Sequence, residues 1–203
     1  SGKSTFSGIR DAMRIAAAGK NFMDESAYSL HVTMESADKA TAEVKMRKVS
    51  AICLSAGKEI SNSIPVMMYS NPFVEMTSSI GPEGERWAPM HGLFPHSAGD
   101  AAWARIEALM DEYSSRFDRL GIIAAYLLAA VSNTVFLIEP VLYWPAPRTA
   151  WHERMLEPSQ MAKFKDFPDN PEVNATVTEV RARLNDLFVE LGAAHLQIGK
   201  KYQ

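Results

Sequence analysis

The most apolar stretch of the chain, residues 120–144, limits the folds open to it. A membrane helix needs about 20 apolar residues, so that reading is tested first. Ser132, Asn133 and Thr134 sit in the middle of the stretch and Glu139 lies near its end. All are costly in lipid, so no membrane insertion is expected. The β-branched and aromatic content reads better as two strands, 122–131 and 134–144, which turn near Ser132 and Asn133. Pro145 and Pro147 stop the second.

Helical periodicity flanks this hairpin. Residues 100–118 place Trp103, Ile106, Met110, Tyr113 and Phe117 at three- and four-residue spacing, and Gly121 ends the run. Asn170 and Pro171 open the clearest helix, as a cap and a first-turn proline. Val173, Val177, Val180, Leu184, Leu187, Phe188 and Leu191 form its stripe, and Gly192 stops it. Residues 4–18 read as a helix with Phe6, Ile9, Met13 and Ala16 on one face. Asp38 offers a cap to another, running to about residue 56, with Val44, Val49, Ile52, Cys53 and Ala56 inward. Residues 148–157 predict a short helix that packs Trp151, Met155 and His152 inward, and 157–170 reads as irregular.

Further strands are expected at 28–35, where Tyr28, Leu30, Val32 and Met34 alternate, at 59–69, at 86–96 and at 194–202. The strands are too few and too irregularly spaced for a parallel doubly wound sheet. The expected class is α+β: an antiparallel sheet with helices packed mainly on one face and a ferredoxin-like core.

At 203 residues and 47% hydrophobic content, the chain is one larger domain or a small pair. A net charge of −3 implies no nucleic-acid partner. One cysteine, Cys53, excludes an internal disulfide framework and suits a reducing compartment, so a cytoplasmic location is expected. Gly2-Lys3-Ser4-Thr5 mimics the end of a phosphate loop, but the first glycine and the preceding strand are missing. The abrupt start and end are expected of a piece of a longer protein.

Polar groups gather beside the apolar strands in three places. Arg86, Trp87, His91 and His96 lie in residues 83–97, where Pro89, Gly92 and Pro95 exclude an ordinary helix. Tyr126, Ser132, Asn133 and Glu139 lie on the hairpin, and His195, Gln197, Lys200 and Tyr202 lie at the end. If these strands are neighbours, a histidine could accept a hydroxyl proton and a cation could hold a carboxylate. The plainer alternative is a structural strand with prolines at its turns. A metal is not expected: His91 and His96, five residues apart on a strand, point to opposite faces unless the chain bends.

Gly81-Pro82-Glu83-Gly84-Glu85-Arg86-Trp87-Ala88-Pro89-Met90-His91-Gly92 resembles the C-terminal half of FAD-linked oxidases. So do Pro95-His96-Ser97, Leu137-Ile138-Glu139-Pro140, Tyr143-Trp144-Pro145 and Gly192-Ala193-Ala194-His195-Leu196-Gln197-Ile198-Gly199-Lys200. These flavoproteins are related to D-lactate dehydrogenase (cytochrome), vanillyl-alcohol oxidase and 4-cresol dehydrogenase. The resemblance implies that residues 1–20 are a helix or linker and that 21–203 form a substrate-binding cap domain. An FAD-binding domain of the same polypeptide would hold the cofactor. The cap would help oxidise an alcohol, 2-hydroxy acid or phenolic substrate by hydride transfer to flavin, and the fragment alone would be inactive.

Under that resemblance His91 and His195 are the catalytic candidates. Arg86, Trp87, Tyr126, Glu139, Gln197 and Lys200 would bind substrate, and His96 and Asn133 would face FAD. Two family features are missing. The Gly-His-x-Gly-Asp-Gly-Asn-x-His metal motif is replaced by residues 125–134, and Ala193-Ala194 stand where the phenol oxidisers carry Tyr-Arg. A stand-alone α+β ligand-binding or interaction domain without redox activity is the other expectation, and exposed apolar surface could support a homo-oligomer.

Overall fold

The computed structural model describes residues 28–60, 76–131 and 133–195, and the chain divides into two compact units, Ser1–Val74 and Glu75–Gln203. In the first, one helix is described, α1 (Lys39–Cys53). The Asp38 carboxylate caps it, accepting the Thr41 N–H at 2.8 Å and its hydroxyl at 2.7 Å. Those bonds hold the carboxyl below its usual range. The inward face expected for this helix is not found. None of its residues is buried, and Ile52 is 71% exposed. Lys45, Arg47 and Lys48 interrupt its apolar positions. Residues 28–36 form neither helix nor strand, because alternation makes a strand only where a neighbour pairs with it. The helix expected over 4–18 and most of the strand expected over 59–69 lie outside the described residues.

The second unit is α+β with an antiparallel sheet. Its strands are β1 (Arg86–Pro89), β2 (Gly92–Pro95), β3 (Ile123–Val131) and β4 (Val135–Trp144). β3 pairs along one edge of β4, and β1 and β2 share the other. Arg86 opposes Trp144 and Pro89 opposes Val141; Gly92 then opposes Ile138. One register therefore runs through both short strands, with Met90 and His91 opposite Pro140 and Glu139. The single strand expected over 86–96 is broken for a local reason. Met90 N–H donates to the Pro140 carbonyl at 3.0 Å, and Pro140 has no N–H to return.

Alternation sorts the sheet's side chains. Ala88, Met90, Phe94, Ile138, Leu142 and Trp144 face a helical layer. That layer contains α2 (Gly99–Asp111), α3 (Ser114–Leu120) and α6 (Pro171–Glu190), with the shorter α4 (Ala150–Met155) and α5 (Pro158–Met161) between α3 and α6 in sequence. The one helix expected over 100–118 is two, separated at Glu112 and Tyr113. Gly121 ends α3 in the left-handed conformation, φ 66°. α6 follows the expected stripe: Val173, Val177, Val180, Leu184, Leu187 and Phe188 are buried. The Asn170 side chain accepts the N–H groups of Glu172 and Val173 at its start. Phe188 meets Phe94 edge-on at 6.1 Å between ring centroids. Beyond α6, Ala194 and Leu93 exchange backbone bonds of 2.9 and 3.0 Å, so the chain returns to the outer edge of β2.

The short helices correct two further expectations. In α4, Trp151 and Met155 are 48% and 44% exposed, and of the three residues expected inward only His152 is buried. The His152 Nδ1 lies 3.1 Å from the Thr149 N–H, which donates to it, so this histidine caps its own helix. α5 occupies part of the segment expected to be irregular. Just past it, Lys165 N–H donates to the Glu83 carbonyl at 2.8 Å. Gly84 sits there at φ 112°, and a Cβ would overlap the Lys165 carbonyl oxygen. The Arg148 guanidinium donates to the carbonyls of Phe164 at 2.6 Å and Met161 at 3.2 Å, which ties this segment to the end of β4. No helix among the described residues is long and apolar enough to cross a membrane.

Phe188→Ala should lower the unfolding free energy by about 3–5 kcal/mol, as expected for a fully buried aromatic. Val189→Ala, at an exposed position of the same helix, should leave it nearly unchanged. Urea denaturation of both variants measures the difference.

Charged pairs line the seam between α6 and the helices α2 and α3: Arg119–Glu172 at 2.5 Å, Arg183–Glu112 at 2.6 Å and Arg116–Glu179 at 2.9 Å. The hydrogen bond from Arg119 holds the Glu172 carboxyl below its ordinary value of 4.5. Bonds from Tyr113 and then Arg116 do the same for Glu179. A lowered folded-state value contributes stability that is present above 4.5 and lost as pH falls through the folded values. The thermal midpoint should therefore drop below about pH 4.5, and E172Q/E179Q should flatten that slope. Solvent screening keeps the effect small.

Candidate functional site

The sheet face turned away from the core helices carries one polar pair among apolar residues. Period-two alternation and the observed register place Trp87, Pro89, His91 and Leu93 on this face from β1, β2 and the link between them. Val135, Leu137, Glu139, Val141 and Tyr143 face the same way from β4, and Ile123, Ala125, Leu127, Ala129 and Val131 from β3. His91 Nε2 and Glu139 Oε2 lie 2.5 Å apart, with side chains 15% and 13% exposed. The pair exists because His91 falls directly opposite Glu139 in the gap between β1 and β2. Directly opposed residues without ladder bonds bring their side chains closest.

Aromatic and apolar groups frame the pair. The Trp87 and Tyr143 rings, also directly opposed, stack at 6.1 Å with an interplanar angle of 22°. Leu137 and Val141 flank Glu139 on its own strand and are buried. Neither belongs to the core cluster beneath the sheet. On β3, Ile123, Leu127 and Val131 are 56%, 51% and 47% exposed. The Tyr143 phenol is pushed above its ordinary value, by burial first and then by the negative charges of Glu139 and Glu85. An imidazole held by a carboxylate in such surroundings can take a proton from a hydroxyl group, and the carboxylate stabilises the resulting imidazolium.

The three expected polar clusters are redistributed by the fold. Trp87, His91 and Glu139 come together on this face. Arg86 and Tyr126 lie on the helix-covered side. The Arg86 guanidinium sits 5.5 Å from the centre of the Trp144 ring, and Tyr126 packs edge-on against Trp103 at 4.8 Å. His96 lies at the end of the sheet beside the turn that holds Asn133. His96 N–H donates to the carbonyl of Thr134, next to Asn133 in the hairpin turn, at 3.2 Å. Both side chains are exposed or lie on an exposed residue, and the His96 ring is 6.3 Å from that of Phe136. His195 is exposed and follows the Ala194 bridge to β2. Gln197 and Lys200 lie outside the described residues.

Tyr143 was not among the expected site residues. Its signal was available in the alternation from Glu139 through Val141, which puts position 143 on the same face. Among the described residues, no three His, Cys, Asp or Glu side chains are grouped as metal ligands. No protein-family model, no characterised protein and no solved structure was found to match the chain.

Proposed function

We propose that this chain supplies the substrate-side cap of an FAD-dependent oxidoreductase that oxidises a hydroxyl compound. The observation that carries the reading is the His91–Glu139 pair at 2.5 Å, set in an apolar sheet face beside the Trp87–Tyr143 stack. The arrangement suits the half of the reaction that removes a hydroxyl proton. His91 takes that proton and Glu139 holds the imidazolium. Bound FAD would accept the hydride from the carbon bearing the hydroxyl, leaving a carbonyl product. The cofactor would come from an FAD-binding domain of the same polypeptide. In this reading His96 and Asn133 would face it; the backbone bond from His96 N–H to the Thr134 carbonyl supports their lying at one end of the sheet.

The same reading extends the fold to a ferredoxin-like core. It is supported by the order strand, helices, hairpin, helix, strand, with β4 between β3 and the β1–β2 line and the Ala194 bridge outside β2. It also takes residues 21–203 as one functional cap and the protein as cytoplasmic.

The complete gene product should purify with visible flavin absorbance. A panel of alcohols, 2-hydroxy acids and phenols should bleach it without oxygen. His91→Asn should slow bleaching about 10²–10⁴-fold, the usual contribution of a general base, with flavin content unchanged. A complete polypeptide that lacks flavin and takes up no added FAD would overturn the reading. A tight small-molecule ligand seen by native mass spectrometry, again without flavin, would instead support a stand-alone ligand-binding domain.

A further inference from the structure

We infer that β3 is a docking edge for a second copy of this chain. Two β3 strands pair antiparallel about a two-fold axis at Leu127 and join two sheets into one.

The strand is apolar and open to solvent. Ile123, Leu127 and Val131 on one face are 56%, 51% and 47% exposed, and Leu128 on the other is 39% exposed. A row of exposed apolar side chains marks an interaction surface. β3 runs nine residues without a charge or a proline, and no bulge interrupts its register with β4. Charges, prolines and bulges are the usual guards of a sheet edge. Among the described residues β3 pairs with β4 alone.

What fits this edge is β3 itself. Ile123-Ala124-Ala125-Tyr126-Leu127-Leu128-Ala129-Ala130-Val131 keeps its pattern when reversed. About an axis at Leu127, Ile123 opposes Val131 of the second copy, Ala125 opposes Ala129, and the two Leu127 meet. Leu128 comes opposite Tyr126, whose ring packs against Trp103 at 4.8 Å. β-Branched side chains face each other at the ends, small ones lie between, and no like charges are opposed. Moving the axis by one residue, to Tyr126, sets Val131 against Gly121 and Ile123 against Ala129, which loses both end contacts. The same patch is used on both copies, so the assembly closes after two.

The backbone agrees. The Pro140 carbonyl accepts from Met90 on one side of β4. Its neighbour Glu139 therefore bonds toward β3, where Leu127 opposes it. Ala124, Leu128 and Ala130 then direct their N–H and C=O groups to the outer edge. In the pairing, Ala124 and the second copy's Ala130 exchange backbone bonds, and the two Leu127 form a non-hydrogen-bonded pair with Cα atoms about 4.5 Å apart. The second copy's Leu127 thus extends the row that holds His91 and Glu139. The two Glu139 residues stand three strand spacings apart, about 14 Å, beyond the screening length of about 8 Å at physiological salt. One strand pair is small beside the about 1,200 Å² that stable interfaces bury at the least, so the dimer is reversible.

The complete gene product carries the test, with Cys53→Ser as the background for cysteine variants. Sedimentation from about 1 to 100 μM should show monomer and dimer in equilibrium. Leu127→Lys sets two like charges face to face and should weaken the dimer at least about tenfold. Leu127→Cys should link to itself under mild oxidation. Ile123→Cys should link only when mixed with Val131→Cys. A monomer at every concentration overturns the inference, as does an oligomer that grows past two. A dimer that Leu127→Lys leaves intact, or that Leu127→Cys does not link, overturns it too. Ile123→Cys linking to itself places the axis elsewhere and has the same force. Should Leu127→Lys lose its thermal transition, the cysteine links decide alone.

Discussion

The second unit depends on strand β4 being paired along both edges. Nine registered pairs join it to β3, and β1 and β2 occupy its other side in a single register. That position makes its two faces unlike. Ile138 and Leu142 are shut into the core under α2, α3 and α6, while Glu139 and Tyr143 look the other way. A one-residue slip would exchange these sets, placing Glu139 among Phe94, Phe188 and Ile106. The burial of an unpaired carboxylate there would cost several kcal/mol, so the hydrophobic pattern of β4 holds the register firmly.

Pro140 connects this architecture to the candidate site. Lacking an N–H, it accepts one ladder bond from Met90 and returns none. The interruption leaves His91 between two short strands, opposite Glu139. The two flanking strands still fix its position, because both pair with β4. A rigid support with one local irregularity is a common way to present a reactive side chain.

The helical layer is held mainly by its apolar stripes. Phe188, Leu184 and Val180 are fully buried, whereas the arginine–glutamate pairs along the seam are solvent-exposed and individually weak. Those pairs repeat between antiparallel neighbours, so they favour one alignment of α6 over its shifted alternatives. Tyr113 belongs to both systems. Its ring is buried in the core and its hydroxyl donates to Glu179 at 2.8 Å.

Much of this was legible in the residues themselves. The hairpin, the cap and stripe of α6 and the stop at Gly121 follow from spacing and local backbone chemistry, which act within a few residues. The exposure of α1, the break in the 86–96 strand and the exposure of Trp151 and Met155 were not legible, because each depends on what lies opposite. The same division applies to the site. The sequence by itself determined that Trp87 and Glu139 would sit on strands and that His91 would follow Trp87 in the same extended segment. Only the tertiary structure decided that His91 opposes Glu139 while Arg86 and Tyr126 turn to the helices. Pairing partner and register are set by long-range burial of β4, and no local spacing encodes them.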